Sequence, residues 1–179
     1  MSVRRFMQAT PSIGENTYID EMASVIGQVA IGNDCSVWPF ASIRGDVHHI
    51  TIGHRTSIQD GCVLHVTHDS EYHPGGAALT VGDDVTVGHK VTLHACTILN
   101  LCIIGMGSIV LDKAVIEPDV ILGAGSLVPP GKTLESGFLW VGTPAVKRRP
   151  LTNEERAFIR HSAANYVALK NNYLNTKIK

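Results

Sequence analysis

An aliphatic residue recurs every six positions along most of the chain. The series slips by three residues after Ile43, is interrupted by a polar stretch after Leu64, and is shortened by one residue before Ile98. Its members are Ile19, Val25, Ile31, Val37, Ile43, Ile52, Ile58, Leu64, Val81, Val87, Leu93, Ile98, Ile104, Val110, Ile116, Leu122 and Val128. A period of six fits neither an amphipathic helix nor a single strand, so the pattern predicts a chain of short repeated units.

A second regularity accompanies these anchor residues. The side chain four positions after an anchor is usually small or β-branched, as at Cys35, Cys62 and Cys102, and glycine often follows the anchor, as at Gly53. Such hexapeptides predict a parallel β-helix, in which three hexads close one coil and coils stack about 4.8 Å apart. The pattern resembles the left-handed hexapeptide-repeat proteins, and this resemblance, rather than the spacing, implies the hand. We therefore predict an all-β solenoid, a left-handed parallel β-helix, over residues 1–150.

Two breaks in the repeat carry predictions of their own. Residues 66–80 are largely polar and contain Pro74, Gly75 and Gly76, which predicts a loop pushed out from one corner of the solenoid. Loops carried on rigid scaffolds often hold functional residues. The repeat is expected to end at Val128, because two prolines and a glycine follow it.

The C-terminal segment 151–179 is predicted to form an α-helix. Thr152 and Glu155 have the spacing of a capping box. The apolar face that follows consists of Phe158, Ile159, Ala163, Tyr166 and Val167. We expect this helix to pack along the solenoid or against a neighbouring subunit, because a solenoid leaves apolar surface to cover.

Charge and composition exclude several classes of protein. Lys and Arg number 15 against 16 Asp and Glu, a net charge of −1, which argues against a nucleic-acid-binding or polybasic membrane protein. No apolar run approaches the roughly 18 residues of a membrane span, and the first residues lack the apolar stretch of a signal peptide. The four cysteines form no C-x-x-C pair. We predict a cytoplasmic protein with free thiols that binds neither nucleic acid nor membrane.

Two histidines fall in one column of the predicted solenoid. If the loop replaces a single corner, Leu64 and Leu93 lie on the same face of adjacent coils, so His65 and His94 project outward one above the other. Two nitrogens bound to one zinc ion lie about 3.3 Å apart, which stacked histidines can reach. His89 projects from a different face and does not easily reach the same point within one chain, but it could reach that point from a neighbouring chain of a three-fold assembly. The spacing alone is equally compatible with a histidine ladder at an interface.

The order and spacing of several motifs narrow the choice. The motifs are Arg44-Gly45-Asp46, Gln59-Asp60-Gly61, His65, Val87-Gly88-His89 followed by His94, and Gly105-Met106-Gly107. Together they resemble the γ-class carbonic anhydrases, and most closely the short bacterial γ-carbonic-anhydrase-like proteins. The resemblance covers roughly residues 12–150 and the C-terminal helix. The hexad repeat alone is less specific, because many acyltransferases share it.

The resemblance implies a homotrimer with three metal sites, one between each pair of subunits. His65 and His94 of one chain and His89 of the next would bind zinc, or iron under reducing conditions. The implied reaction is the reversible hydration of CO2 to bicarbonate by a zinc-bound hydroxide.

Other family positions imply supporting roles. Gln59 matches the residue that contacts the metal-bound water. Three residues match those that hold the interface and the edge of the site: Arg44, Asp46 and Asp60. The sequence departs from the best-characterised archaeal member at Val47, where that enzyme has a glutamate, and in a shorter acidic loop. His68 aligns with the proton shuttle of that loop and is our candidate for the same task.

Two other functions are compatible with the sequence. A hexapeptide-repeat acyltransferase would use one histidine to activate an acceptor and would hold acetyl-CoA along the edge of the coils. A non-catalytic trimeric scaffold would keep zinc for stability alone. Three histidines at ligand positions favour the metal-dependent enzyme over the transferase.

Overall fold

In the computed structural model, which describes residues 2–176, short strands follow one another from Val3 to Pro150 and one helix comes after them. The strands are β1 (Val3–Arg4), β2 (Ser12–Ile13), β3 (Tyr18–Ile19), β4 (Ser24–Ile31), β5 (Ser36–Val37), β6 (Ser42–Ile52), β7 (Ser57–Ile58), β8 (Val63–His65), β9 (Leu79–Val81), β10 (Thr86–Val87), β11 (Thr92–His94), β12 (Thr97–Ile98), β13 (Cys102–Ile104), β14 (Ile109–Val110), β15 (Val115–Ile116), β16 (Val120–Leu122), β17 (Leu127–Val128), β18 (Thr133–Leu134), β19 (Phe138–Val141) and β20 (Val146–Pro150). The helix is α1 (Asn153–Asn175). Residues 177–179 of the predicted C-terminal segment lie outside the described residues.

The strands stack into three faces of a solenoid. The histidine face carries β8, β11, β14 and β17 above the first part of β6, the second face carries β9, β12, β15 and β18 above its last part, and the helix face runs from β3 through β5, β7, β10, β13 and β16 to β19. The long strand β6 turns a corner, because its start pairs with β8 and its end with β9. Among the named strands of the described residues, pairing is parallel except between β19 and β20. The predicted all-β solenoid of hexapeptide repeats with a C-terminal helix is confirmed.

The anchor residues fill the interior of the solenoid. Every anchor from Val25 to Val128 is at most 4% exposed, whereas Ile19, near the first coils, is only partly buried. The cysteines in the small inward slot are buried free thiols, and burial raises the pKa of Cys62 to about 11. Glycine follows the anchors because coils pass close together: a Cβ at Gly53 would lie 2.7 Å from the carbonyl carbon of Gly82.

The repeat does not end at Val128, so that prediction was wrong. Leu134 and Trp140 continue the spacing of six and are 0% and 5% exposed. The two prolines and Gly131 form a corner rather than a terminus, since Gly131 has a φ of 69° that suits a tight turn. The antiparallel strand β20 then pairs with β19 at the last coil.

The loop between β8 and β9 is narrower than the interval 66–80. Thr67 and Ala77 exchange backbone hydrogen bonds of 3.0 and 2.9 Å across its base. Val66 and Leu79 are buried and belong to the core. The most exposed part therefore runs from His68 to the Pro74-Gly75 turn, in which Ser70 is half-buried.

The helix packs on the helix face of its own chain, against β3, β5 and β10. Its capping box is present: the Glu155 N–H donates to the Thr152 hydroxyl, and the Thr152 N–H donates to the Glu155 carboxylate. The Ser162 hydroxyl lies 2.9 Å from that of Thr86 on β10. Phe158 was predicted on the apolar face but is 56% exposed. Between residues 2 and 176, no helix is long and apolar enough to cross a lipid bilayer.

The residues of the helix that the solenoid covers form one stripe, because their spacings of three, four and seven positions each bring them back to the same side of the helix. They are Ile159, Ser162, Ala163 and Lys170. Phe158 lies outside this stripe, because each residue turns a helix by about 100°. Lys170 is fully buried and donates from Nζ to Asp34 Oδ1 at 2.9 Å, which ties the end of the helix to an early corner of the solenoid.

Candidate metal centre

His65 and His94 end neighbouring strands of the histidine face. The register pairs Leu64 with Leu93 and His65 with His94, as the hexad count predicts. Both leucines point inward and are fully buried, so the alternation of a strand sends the histidines outward. Their side chains are 20% and 34% exposed. His65 Nδ1 lies 3.3 Å from His94 Nε2.

A carboxylate lies on the far side of each of these rings. His65 Nε2 is 2.9 Å from Asp46 Oδ1, and His94 Nδ1 is 2.7 Å from Asp112 Oδ1. Burial opposes ionisation of Asp46, but hydrogen bonds from His65 and Arg44 outweigh it, and the pKa of Asp46 is lowered. The pKa of Asp112 is lowered in the same way, with hydrogen bonds from the Thr67 hydroxyl and from His94 overcoming its burial. Both carboxylates are thus ionised acceptors at neutral pH.

These acceptors determine where the ring protons of the neutral histidines lie. An ionised carboxylate only accepts hydrogen bonds, so His65 carries its proton on Nε2 and His94 carries its proton on Nδ1. The two nitrogens that face each other across 3.3 Å then each present a lone pair. Facing lone pairs repel unless they share a cation. The separation equals that of two nitrogens on a tetrahedral zinc ion with bonds of about 2.0–2.1 Å, so the pair fits such a metal.

His89 lies on the helix face, just after β10. The register of Val87 with Ile58 puts His89 one coil above Asp60, and its Nδ1 lies 2.9 Å from Asp60 Oδ2. As with the other two rings, this contact leaves one nitrogen, here Nε2, for a ligand. Its side chain is 46% exposed. Within residues 2–176 of a single chain, no three His, Cys, Asp or Glu side chains come together to hold a metal ion.

A groove of about 330 Å³ adjoins His89 between the solenoid and the helix. Gln59, Met106, Phe158 and Tyr166 contribute to its lining. The Gln59 side chain is almost completely buried. Burial and the negative charge of Asp60 raise the pKa of Tyr166, while a hydrogen bond with Gln59 acts in the opposite direction. Gln59 and His89, both predicted from the sequence, therefore line one groove, and Tyr166 of the helix joins them.

The remaining predicted residues lie at the edge of this arrangement or apart from it. Arg44 is half-exposed and pairs with Asp46, which in turn contacts His65. His68 is exposed on the loop, and among the described residues no hydrogen bond or ring contact joins it to His65 or His94. Its role as a proton shuttle stays a prediction.

Asp112 is the residue of this cluster that sequence reasoning missed. It lies two positions after the anchor Val110, in the coil that follows His94. The hexad count could have marked it as a polar corner residue one coil above His94, one position past the residue in register with that predicted ligand. The count could not have indicated that its carboxylate turns back toward His94.

Comparison with known proteins gives several relatives over nearly the whole chain. Residues 10–45 match the family described as bacterial transferase hexapeptide (six repeats). The chain is 54% identical over 172 residues to Protein YrdA of Escherichia coli, covering 96% of this chain and 94% of that protein. It is 40% identical over 146 residues to a carbonic anhydrase of Geobacillus kaustophilus, covering 82% and 76%. It is also 40% identical over 162 residues to the mitochondrial gamma carbonic anhydrase 2 of Arabidopsis thaliana, covering 89% of this chain and 57% of the plant protein.

Solved structures share the architecture. A hexapeptide transferase family protein from Anaplasma phagocytophilum superposes with a TM-score of 0.88 at 40% identity, covering 96% of this chain and 97% of that chain. A single-residue mutant of the N-acyltransferase AntD from Bacillus cereus has a TM-score of 0.68 at 20% identity and covers 91% and 89%. At that identity the second likeness concerns the fold alone.

Proposed function

Since the chain belongs to the γ-carbonic-anhydrase-like family of hexapeptide-repeat proteins, we propose that it is a metal-dependent carbonic anhydrase. The reaction is the reversible hydration of CO2 to bicarbonate. The observation that carries the proposal is the pair of imidazole nitrogens of His65 and His94, which face each other across 3.3 Å with a carboxylate behind each ring.

The proposed metal site is shared between two chains of a homotrimer. His65 and His94 come from one chain and His89 from the next, which accords with their separation onto two faces of the solenoid. Each histidine has a carboxylate on its far nitrogen, the arrangement that metal-ligating histidines usually have. We assign the site to Zn²⁺, or to Fe²⁺ under reducing conditions. When bound by three neutral imidazoles, such an ion supplies Lewis acidity that makes water a nucleophile toward CO2 near neutral pH.

The chain's own residues prepare this chemistry. Asp46, Asp60 and Asp112 hold a proton on the far nitrogen of each ring, so the near nitrogen stays free for the metal. The buried amide of Gln59 orients the attacking water beside His89. The apolar side chains of the adjoining groove, Met106 among them, suit an uncharged substrate better than an anionic product.

Turnover also needs a route for one proton to reach solvent. His68 is exposed on a loop whose base is tied to the site, because the Thr67 hydroxyl donates to Asp112. We propose His68 as the group that carries the proton outward. His68→Ala should lower the rate of hydration in dilute buffer, and a high concentration of imidazole should restore it.

Stopped-flow measurement of CO2 hydration on metal-quantified protein tests the proposal. Zinc- and iron-loaded wild type should be active, and His89→Ala should lose both bound metal and activity. His73→Ala is the matched control, since His73 is an exposed histidine of the loop. Full metal occupancy without hydration above the rate of His89→Ala would refute the proposed activity.

A second candidate, an acyltransferase, is supported by the similarity to a hexapeptide transferase family protein at a TM-score of 0.88. This function predicts saturable binding of acetyl-CoA that survives removal of metal by a chelator. A third candidate, a zinc-binding scaffold, predicts that His89→Ala lowers the melting temperature while no turnover is lost. Calorimetric titration with acetyl-CoA distinguishes the acyltransferase from the anhydrase. Thermal unfolding of His89→Ala, together with its turnover, distinguishes the scaffold from the anhydrase.

A further inference from the structure

Asp112 lies at a corner that the next coil holds in place. It follows β14, and its backbone carbonyl accepts from the N–H of Gly131 at 2.9 Å. Its two carboxylate oxygens have different partners: Oδ1 accepts from His94 Nδ1 at 2.7 Å, and Oδ2 accepts from the Thr67 hydroxyl. Thr67 is 8% exposed, so little water competes for its hydroxyl. The Asp112 side chain is therefore held at both oxygens.

We propose that Asp112 is a positioning residue for the metal site, acting through His94, and that Thr67 fixes Asp112 from the base of the loop. The chain of contacts runs from Thr67 to Asp112 to His94. It thereby joins the base of the loop at 66–80 to one predicted metal ligand. This inference deepens the proposed function and rests on it, since it requires that His94 bind the metal.

The physical reason lies in a competing hydrogen bond. Neutral histidine carries one ring proton, on either nitrogen. With Asp112 present, the proton lies on Nδ1 of His94 and Nε2 keeps its lone pair. Without Asp112, the proton can move to Nε2, from which it can donate to His65 Nδ1 only 3.3 Å away. That hydrogen bond would occupy both nitrogens that a metal needs. Loss of Asp112 would therefore let the His94 proton move and would stabilise a His65–His94 hydrogen bond that competes with the metal.

Zinc affinity is the first readout, measured by chelator competition on metal-stripped protein whose oligomeric state is checked by light scattering. Asp112→Ala should weaken zinc binding about 10–100-fold, the range typical for losing an outer partner of a ligating histidine. Thr67→Val keeps the shape but removes the hydroxyl, so it should weaken zinc binding less, and Thr67→Ser should restore the wild-type affinity. Asp84→Asn is the control, because the Asp84 carboxylate pairs with Arg55 at a solenoid corner and, among the described residues, forms no hydrogen bond with a histidine ring.

The tautomer of His94 is a second readout that needs no metal. In two-bond ¹H–¹⁵N spectra of metal-free protein, wild-type His94 should show the form protonated on Nδ1. Asp112→Ala should shift it toward the form protonated on Nε2, whereas Asp84→Asn should leave it unchanged. A role for Asp112 in stability alone would lower the unfolding temperature without moving this signature.

The failures of the two proposals are distinguishable. Zinc binding without CO2 hydration would refute the proposed function. The zinc affinities of wild type and Asp112→Ala would still test the role of Asp112. Equal zinc affinity in wild type and a folded Asp112→Ala trimer would overturn the role of Asp112, whatever the catalytic rate. An unchanged His94 tautomer in Asp112→Ala would overturn it as well.

Discussion

Mixed trimers of His65→Ala and His89→Ala chains should recover metal sites that neither variant forms alone. His65 lies on the histidine face with His94, whereas His89 lies on the helix face, and a single described chain does not bring all three together. A shared site therefore takes His65 and His94 from one chain and His89 from the next. In a mixture, a site is intact wherever a His89→Ala chain supplies the pair and a His65→Ala chain supplies the third ligand.

The size of the recovery follows from the symmetry of the assembly. In a closed ring of three, every trimer that contains both variants has one junction of the productive kind. Random assembly from equal amounts therefore leaves about one quarter of all sites intact, because about three quarters of trimers are mixed and each contributes one site in three. Zinc content and CO2 hydration should both recover to about that fraction of wild type in the unselected mixture, and to about one third in mixed trimers that are selected by two affinity tags.

The assay is refolding or co-expression of the two variants with different affinity tags, followed by two-step purification, metal analysis and stopped flow. A mixture of His65→Ala and His94→Ala is the control, since both ligands belong to the same chain and no arrangement restores them. No recovery in the first mixture, or the same recovery in the control mixture, would refute the shared site.

Three further predictions concern the scaffold around the site. Leu93→Ala should lower the free energy of unfolding by about 2–5 kcal/mol in urea titrations, because Leu93 is fully buried between adjacent coils; a smaller loss would mean that the coils collapse around the cavity. Arg149 and the N-cap lower the pKa of Glu155 to about 2, so its stabilising contribution is complete above the unfolded-state pKa of about 4.3 and is lost as the pH falls toward 2. Glu155→Gln should therefore show a weaker loss of stability than wild type between these pH values, and parallel curves would contradict this. Asp34→Asn should destabilise by up to about 3–5 kcal/mol and Lys170→Met by much less, since only the first leaves a fully buried charge without its partner; equal losses by chemical denaturation would contradict the asymmetry.

The fold was predictable from the sequence because one physical rule applies at every hexad. An aliphatic anchor must point into the solenoid, so the residue after it points out, and the count of anchors determines which outward residues stack. That count places His65 beside His94 and His89 on another face. The count gave the wrong end of the repeat, because a pair of prolines can either turn a corner or end a repeat. Pro129 and Pro130 turn a corner, since Trp140 of the next coil is buried.

The start of the C-terminal helix could be predicted from the sequence better than its buried face. Its start was predictable from local chemistry, since the capping box involves only Thr152 and Glu155. Its buried face was predicted less well, because apolar character alone put Phe158 inside and left out Lys170. Burial of Lys170 depends on Asp34, more than a hundred residues earlier, and no local pattern joins the two.

The sequence by itself thus determined the solenoid, the register of its coils and the pairing of two histidines in one column. Only the tertiary structure decided that their nitrogens converge to 3.3 Å and that Asp46 and Asp112 hold the opposite sides of the rings. The reason is that a periodic backbone specifies where a side chain starts and toward which face it points. The place where its polar atoms end depends on side-chain torsions and on corner residues from other coils, which the period of six does not encode.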